Sequence, residues 1–202
     1  MKRKPNTPIT TVRTGTGDAG TTFLRTPGIS KSDPIVDFVG DLDEACAALG
    51  RVEIGFDFGS VEECNIQHNL SKLFSKTIVL MFEIGAMVHS STAKDMYLEE
   101  TIETYCSDVE SVIDKMIEKD LLDPLEGFII PNQENGDLFL ARAIVRRCER
   151  SAIKAGEMDF VKLLNVASDF LFVLSWYTTH YYEQWTGFSK KSDSAKEGSP
   201  IL

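Results

Sequence analysis

The chain has 202 residues, a length that suits one domain. Apolar residues make up 43% and charged residues 26%, an ordinary globular balance. With 31 Asp plus Glu against 21 Lys plus Arg the net charge is −10, which opposes general attraction to nucleic acid or an anionic membrane.

The opening MKRKPNTP is basic but carries no apolar stretch, so no secretory signal is expected. Residues 1–40 are rich in Gly, Thr and Pro and show no helical period. They read as an ordered loop region with a short strand at Ile9–Val12. Gly40-Asp41-Leu42-Asp43-Glu44 reads as a helix start, with Asp41 as N-cap and Glu44 as its capping-box partner. That helix should run to about Glu53. A second helix fits residues 61–90, where Ile66, Leu70, Leu73, Thr77, Leu80, Ile84 and Met87 step by three or four. It contains Ile78 to Phe82, the longest strongly apolar run, which is far too short to span a bilayer.

A third helix fits 95–119. Phe128-Ile129-Ile130-Pro131 then reads as extended, because a residue before proline avoids the α region. A fourth helix fits 135–155 and ends at Gly156. A fifth fits 159–185, through Leu163, Val166, Phe170, Val173 and Tyr177. Residues 189–202 are small and polar and read as a tail. The expected fold is an all-α five-helix bundle over residues 1–188, with an irregular Gly/Thr-rich N-terminal loop. The four cysteines, Cys46, Cys64, Cys106 and Cys148, form no CxxC pair and are expected to be reduced thiols of a cytoplasmic protein.

Three features carry chemistry. Gly15-Thr16-Gly17-Asp18-Ala19-Gly20 spells GxGxxG. A dinucleotide-binding unit would need a long helix to open there, and Pro27 and Gly28 forbid one. A loop that wraps an anion with backbone N–H groups fits better, with hydroxyls from Thr16, Thr21 and Thr22 and the charge of Lys31. Asp18 would assist a metal or close a turn; a ligand-free Gly/Thr turn stays open. Half of the eight arginines, Arg142, Arg146, Arg147 and Arg150, lie within nine residues. Arg142, Arg146 and Arg150 stack at four-residue steps on one face, where like charges repel unless an anion opposes them. Glu149 would orient Arg146, and guanidinium forks suit phosphate. An interhelical ion-pair network, such as Arg142 with Asp43, competes with that reading. Asn165 and Asp169 share one face of an apolar helix and must find partners. The three histidines are scattered, so no metal centre is expected.

Taken together, these segments resemble the PduO-type ATP:cob(I)alamin adenosyltransferase family. Thr16-Gly17-Asp18-Ala19-Gly20-Thr21-Thr22 with Lys31 resembles its TGDxGxT loop. Gly40-Asp41-Leu42-Asp43-Glu44 to Leu49-Gly50 resembles GxxDELNxxLG. Phe128-Ile129-Ile130-Pro131 followed by Ala141-Arg142 and Arg146-Arg147-Cys148-Glu149-Arg150 resembles FILPGG…ARxxxRRAER. Leu164-Asn165 to Leu174 resembles LNRLSDxLFVL. The resemblance implies a homotrimer with active sites between subunits. It also implies MgATP as cosubstrate, a Co(I) corrinoid as adenosyl acceptor and a reductase as electron donor. By the same resemblance Thr16, Gly17, Asp18, Gly20, Thr21, Thr22 and Lys31 hold the phosphates. Arg146, Arg147, Glu149 and Asn165 bind the nucleotide. Asp43 and Arg142 match a salt bridge at the subunit boundary, and Phe128 matches the aromatic that displaces the lower cobalt ligand. The chain departs from the pattern at Gly15, Gly28, Cys46, Asn132, Gln133, Phe139 and Val166. A non-catalytic nucleotide- or corrinoid-binding paralogue is therefore the competing expectation.

Overall fold

The computed structural model describes residues 15, 17–54, 61–89, 97–179 and 183–186. The strand expected at Ile9–Val12, Thr16 and the tail at 189–202 lie outside them. Five long helices form the body: α1 (Pro34–Leu49), α2 (Val61–His89), α3 (Tyr97–Glu118), α4 (Gly136–Ala155) and α5 (Val161–Tyr177). A hairpin of β1 (Thr21–Leu24) and β2 (Thr26–Ser30) precedes α1. Strand β3 (Phe128–Ile129) pairs antiparallel with β4 (Gln184–Trp185). The helical bundle foreseen from periodicity is the fold.

Helix α1 and helix α4 pack most extensively, and they run antiparallel. Arg147 meets Asp41 at 2.8 Å near one end of this pair, and Arg51 meets Asp137 at 3.2 Å near the other. Their buried faces, Phe38, Leu42, Ala45 and Leu49 against Leu138, Ala141, Val145, Cys148 and Ala152, form the centre of the core with Leu163, Leu164, Ala167 and Leu171 of α5. Between α2 and α3, Tyr105 is fully buried, and its hydroxyl is satisfied by Thr77 Oγ1 at 2.7 Å.

Three helix limits differ from expectation for identifiable reasons. One is the end of α1, at Leu49 and not near Glu53, where Gly50 caps the helix and Arg51 N turns to Ala48 O at 3.1 Å. The first helix begins at Pro34, capped by Asp33, whose carboxylate accepts from Ile35 N at 3.0 Å. Proline suits the first helical position, so Asp33-Pro34 starts the helix and Gly40 lies inside it. Asp41 and Glu44 are therefore not a capping box; both turn to Arg147. The last helix stops at Tyr177, not near 185, because Thr178 turns its hydroxyl back to Leu174 O at 2.8 Å. That stop frees Gln184–Trp185 to pair with Phe128–Ile129. The end of α4 is as foreseen: Gly156 takes φ +77°, the left-handed cap that glycine adopts without strain.

Candidate functional site

The Gly/Thr loop closes through two consecutive turns. Asp18 N donates to Gly15 O and Gly20 N donates to Gly17 O, both at 3.2 Å. Gly15 and Gly20 take φ of +69° and +80°, which L side chains resist. Lys31 N then donates to Gly20 O at 2.9 Å, so the chain leaving the hairpin returns to the loop. The Lys31 side chain follows: a Cβ placed on Gly17 would lie 2.9 Å from Lys31 Nζ. Only glycine at 17 lets the ammonium settle there. Thr21 and Thr22 are half-buried at the start of β1, and Asp18 is exposed, its carboxylate turned back towards Gly15. Three residues beyond Lys31, α1 begins.

The arginines of α4 divide between two neighbours. Arg147 lies against α1, donating through Nε to Asp41 at 2.8 Å and through Nη2 to Glu44. The Asp41 hydrogen bond and the two carboxylates raise its pKa above the ordinary guanidinium value. Beside it a cleft of about 580 Å³ separates the start of α1 from the end of α4; Asp37, Asp41, Arg147, Arg150, Ser151 and Lys154 line it. Arg150 Nη1 donates to Arg146 O at 2.8 Å. Arg142 faces α5. Its guanidinium carbon sits 5.1 Å from the Phe172 ring centre, and its Nε is buried with no hydrogen-bond partner. Burial pushes its pKa down, Arg146 adds to that, and Asp169 opposes it. A guanidinium held in this way favours a compensating anion.

Several residues singled out from sequence are unpaired among the described residues. Among the described residues the side chains of Asp43, Arg146, Glu149 and Asn165 form no ion pair or hydrogen bond, and all but half-buried Glu149 are exposed. The expected pairs Arg142–Asp43 and Arg146–Glu149 are thus not made within one chain. Asp41 and Glu44, two residues before and one after Asp43, engage Arg147 instead. Arg147 stands off the face read for Arg142, Arg146 and Arg150. At 100° per residue Arg147 lies far round the helix from Arg142, so one helix serves two surfaces.

Phe128 is 73% exposed and takes no part in the core. Its neighbour Ile129 points inward and is buried. The ring stacks tilted against Trp185 at 6.1 Å, giving an exposed aromatic pair. A Cβ on Gly127 would run into the Trp185 backbone, so glycine permits this strand pairing. Gln184 Oε1 accepts from Glu126 N and Gly127 N at 2.7 and 2.9 Å and holds the approach to Phe128. At two departures from the pattern the local structure is well made. Asn132 Oδ1 accepts from Glu134 N at 2.9 Å and starts the turn into α4. Phe139 meets Phe172 edge-on at 6.2 Å.

Sequence reasoning missed Lys154 and the pairing of Trp185 with Phe128. Lys154 continues the four-residue step Arg146–Arg150 and was there to be found. Trp185 was read as helical, and nothing local signals its pairing with Phe128.

Fold and site together define a helical-bundle protein equipped to hold a polyanion. It has a glycine loop closed by a lysine, a helix with cations on two faces and an exposed aromatic ledge. The chain belongs to the cobalamin adenosyltransferase family, which it matches over residues 12–178. It is 32% identical over 179 residues to the corrinoid adenosyltransferase MMAB of Bos taurus, covering 83% of this chain and 70% of that protein. The fold is similar to that of a variant PduO-type ATP:co(I)rrinoid adenosyltransferase from Lactobacillus reuteri complexed with ATP. There the TM-score is 0.66 at 20% identity, with 86% of this chain and 99% of the other covered. A second variant of that enzyme, complexed with cobalamin and ATP, matches with the same TM-score and identity over 87% and 99% of the two chains.

Proposed function

We propose that this chain transfers the 5′-deoxyadenosyl group of ATP to the Co(I) of a reduced corrinoid, releasing triphosphate. The observation that carries this reading is Lys31 folded onto Gly17, within a glycine loop whose described residues fall inside the family match. Backbone N–H groups of a loop turned by glycines, together with an ammonium, make a seat for phosphate oxygens. Gly17, Asp18, Gly20, Thr21, Thr22 and Lys31 serve the triphosphate, and Thr16 extends the same loop. Arg146, Glu149 and Asn165, exposed or half-buried along neighbouring helices and without ion pairs or side-chain hydrogen bonds among the described residues, serve the nucleotide. Arg147 is already committed to Asp41 and Glu44, so its part is to fix α4 against α1.

In the reaction the Co(I) lone pair attacks C5′, the Co–C bond forms, and the C5′–O bond breaks with its electron pair leaving on triphosphate. The protein supplies no nucleophile. It orients C5′ and neutralises the charge that grows on the leaving group. Mg²⁺ arrives with ATP, since this ion keeps several waters and takes only one or two carboxylates. Asp18 is the carboxylate of the loop. Phe128, on its exposed ledge, meets the corrin and keeps the lower ligand off cobalt.

Asp43, exposed and without an ion pair among the described residues, and Arg142, whose Nε is buried without a hydrogen-bond partner, support an inter-subunit salt bridge and hence a homotrimer. A reductase supplies the electron that makes Co(I). The free thiols, two of them buried, support a reducing compartment such as the cytoplasm.

Titration calorimetry with MgATP tests the nucleotide site. Arg146→Ala should lose about 1.5–3 kcal/mol of binding, as expected for a charge-assisted hydrogen bond, with the fold intact. Normal ATP affinity in that variant would remove α4 from the site. Light scattering should give roughly 68 kDa, three times the 22.5 kDa chain; a monomer would remove the shared site.

A further inference from the structure

We propose that Arg25 is a positioning residue that clamps the phosphate-binding loop to the bundle. It lies outside every motif read above, and it rests on the nucleotide-site reading just given. Arg25 is the single residue joining β1 to β2, with Leu24 paired to Thr26 across it. It is one of two non-glycine residues with positive φ among those described, at +56°. A backbone shape that glycine adopts freely is here held by an arginine, which implies that the side chain has a task.

That task is visible at two points. Nε donates to the carbonyl of Val88 at 2.7 Å, in the last turn of α2 where carbonyls lack helical partners. Nη1 pairs at 2.8 Å with Glu157, a carboxylate only 5% exposed in the link between α4 and α5. One guanidinium thus ties the hairpin tip to two separate parts of the bundle. Leu24 beside it is buried in the core, and Phe23 leans on His89 at 5.9 Å. The other end of the hairpin carries Thr21, Thr22 and Lys31, so holding the tip fixes where those groups stand.

Loss of the clamp lowers the fraction of molecules with the loop in place, and apparent ATP affinity falls by that fraction. Arg25→Gly is the incisive variant, because glycine relaxes the turn while deleting the clamp. It should raise both the Kd and the KM for ATP roughly tenfold, with kcat at saturating ATP and the KM for cob(I)alamin held. Amide exchange across Thr21–Ser30 should accelerate while the exchange of α4 stays as in the wild type. Arg25→Lys, which keeps one charge–charge contact and loses the fork, should fall between. Unchanged ATP affinity, unchanged hairpin exchange, or a fall in kcat alone would each overturn the proposal while wild-type ATP binding stands. If the wild-type protein itself fails to bind ATP, the nucleotide-site reading falls first and this inference with it.

Discussion

Phe128→Ala separates a structural from a chemical role with unusual clarity, because the ring is 73% exposed. Truncating a fully buried Phe costs about 3–5 kcal/mol. Here about a quarter of the side chain is covered, which scales that cost to roughly 1 kcal/mol. The tilted contact with Trp185 at 6.1 Å contributes about 0.5–1.5 kcal/mol of its own. The backbone pairing stays, since Ile130 N still donates to Glu183 O at 2.8 Å and Gln184 still holds Glu126 and Gly127. The expected loss is therefore about 1–2 kcal/mol, a Tm shift of only several degrees for a chain of this size. Activity should respond differently. With cob(II)alamin and a reductant, adenosylation should fall steeply, because the lower ligand is no longer kept from cobalt. With pre-reduced cob(I)alamin it should recover in large part, and ATP affinity should be unchanged. Denaturant melts and paired assays with the two corrinoid states measure both. Equal loss with either form, or a stability loss near 4 kcal/mol, would show that the ring supports the fold and has no part in the chemistry.

Three further outcomes follow from named contacts. Gly17→Ala should leave stability within about 0.5 kcal/mol, because the atom it meets is the flexible end of Lys31. It should still weaken ATP binding about tenfold or more by displacing that charge, which calorimetry would register. Arg147→Ala should cost about 1 kcal/mol in a urea melt, the value of partly exposed ion pairs with Asp41 and Glu44, and lose less ATP affinity than Arg146→Ala. Burial pushes the Cys46 thiol up to about 11 and Cys148 up to about 12. Raised thiol pKa values deplete thiolate at pH 8, so alkylation should label exposed Cys64 first, and Cys46 and Cys148 should react only as the pH climbs towards those values or the chain unfolds.

Helix existence was legible because apolar residues recur every three or four positions, and that spacing is the physics of the buried stripe. Helix limits were legible only where capping chemistry was local and unambiguous, as at Gly156. At the start of α1 two acidic caps competed. Asp33-Pro34 held, since proline fits the first turn while Gly40 is tolerated inside a helix packed on both α2 and α4. The hairpin was hidden because β1 and β2 are short and irregular, with Pro27 and Gly28 in the second strand and a register shift between Thr22 and Phe23. The loop residues were found because glycine, threonine and lysine at that spacing have a mechanism. The division of the arginines was not, since which acid each one meets depends on how α1 and α5 pack around α4. Phe128 could be picked from the motif, but its exposure and its pairing with Trp185, 57 positions on, are set by tertiary structure.

The central claim is group transfer, and one measurement meets it directly. Wild-type protein is mixed anaerobically with MgATP and chemically reduced cob(I)alamin, and the visible spectrum is followed as the Co–C bond forms, with triphosphate quantified in parallel. The account predicts conversion of the Co(I) spectrum to that of adenosylcobalamin, with one triphosphate released per corrinoid adenosylated. A Co(I) spectrum that persists while ATP is bound would contradict it, and would identify the chain as a binding paralogue that kept the fold and lost the reaction.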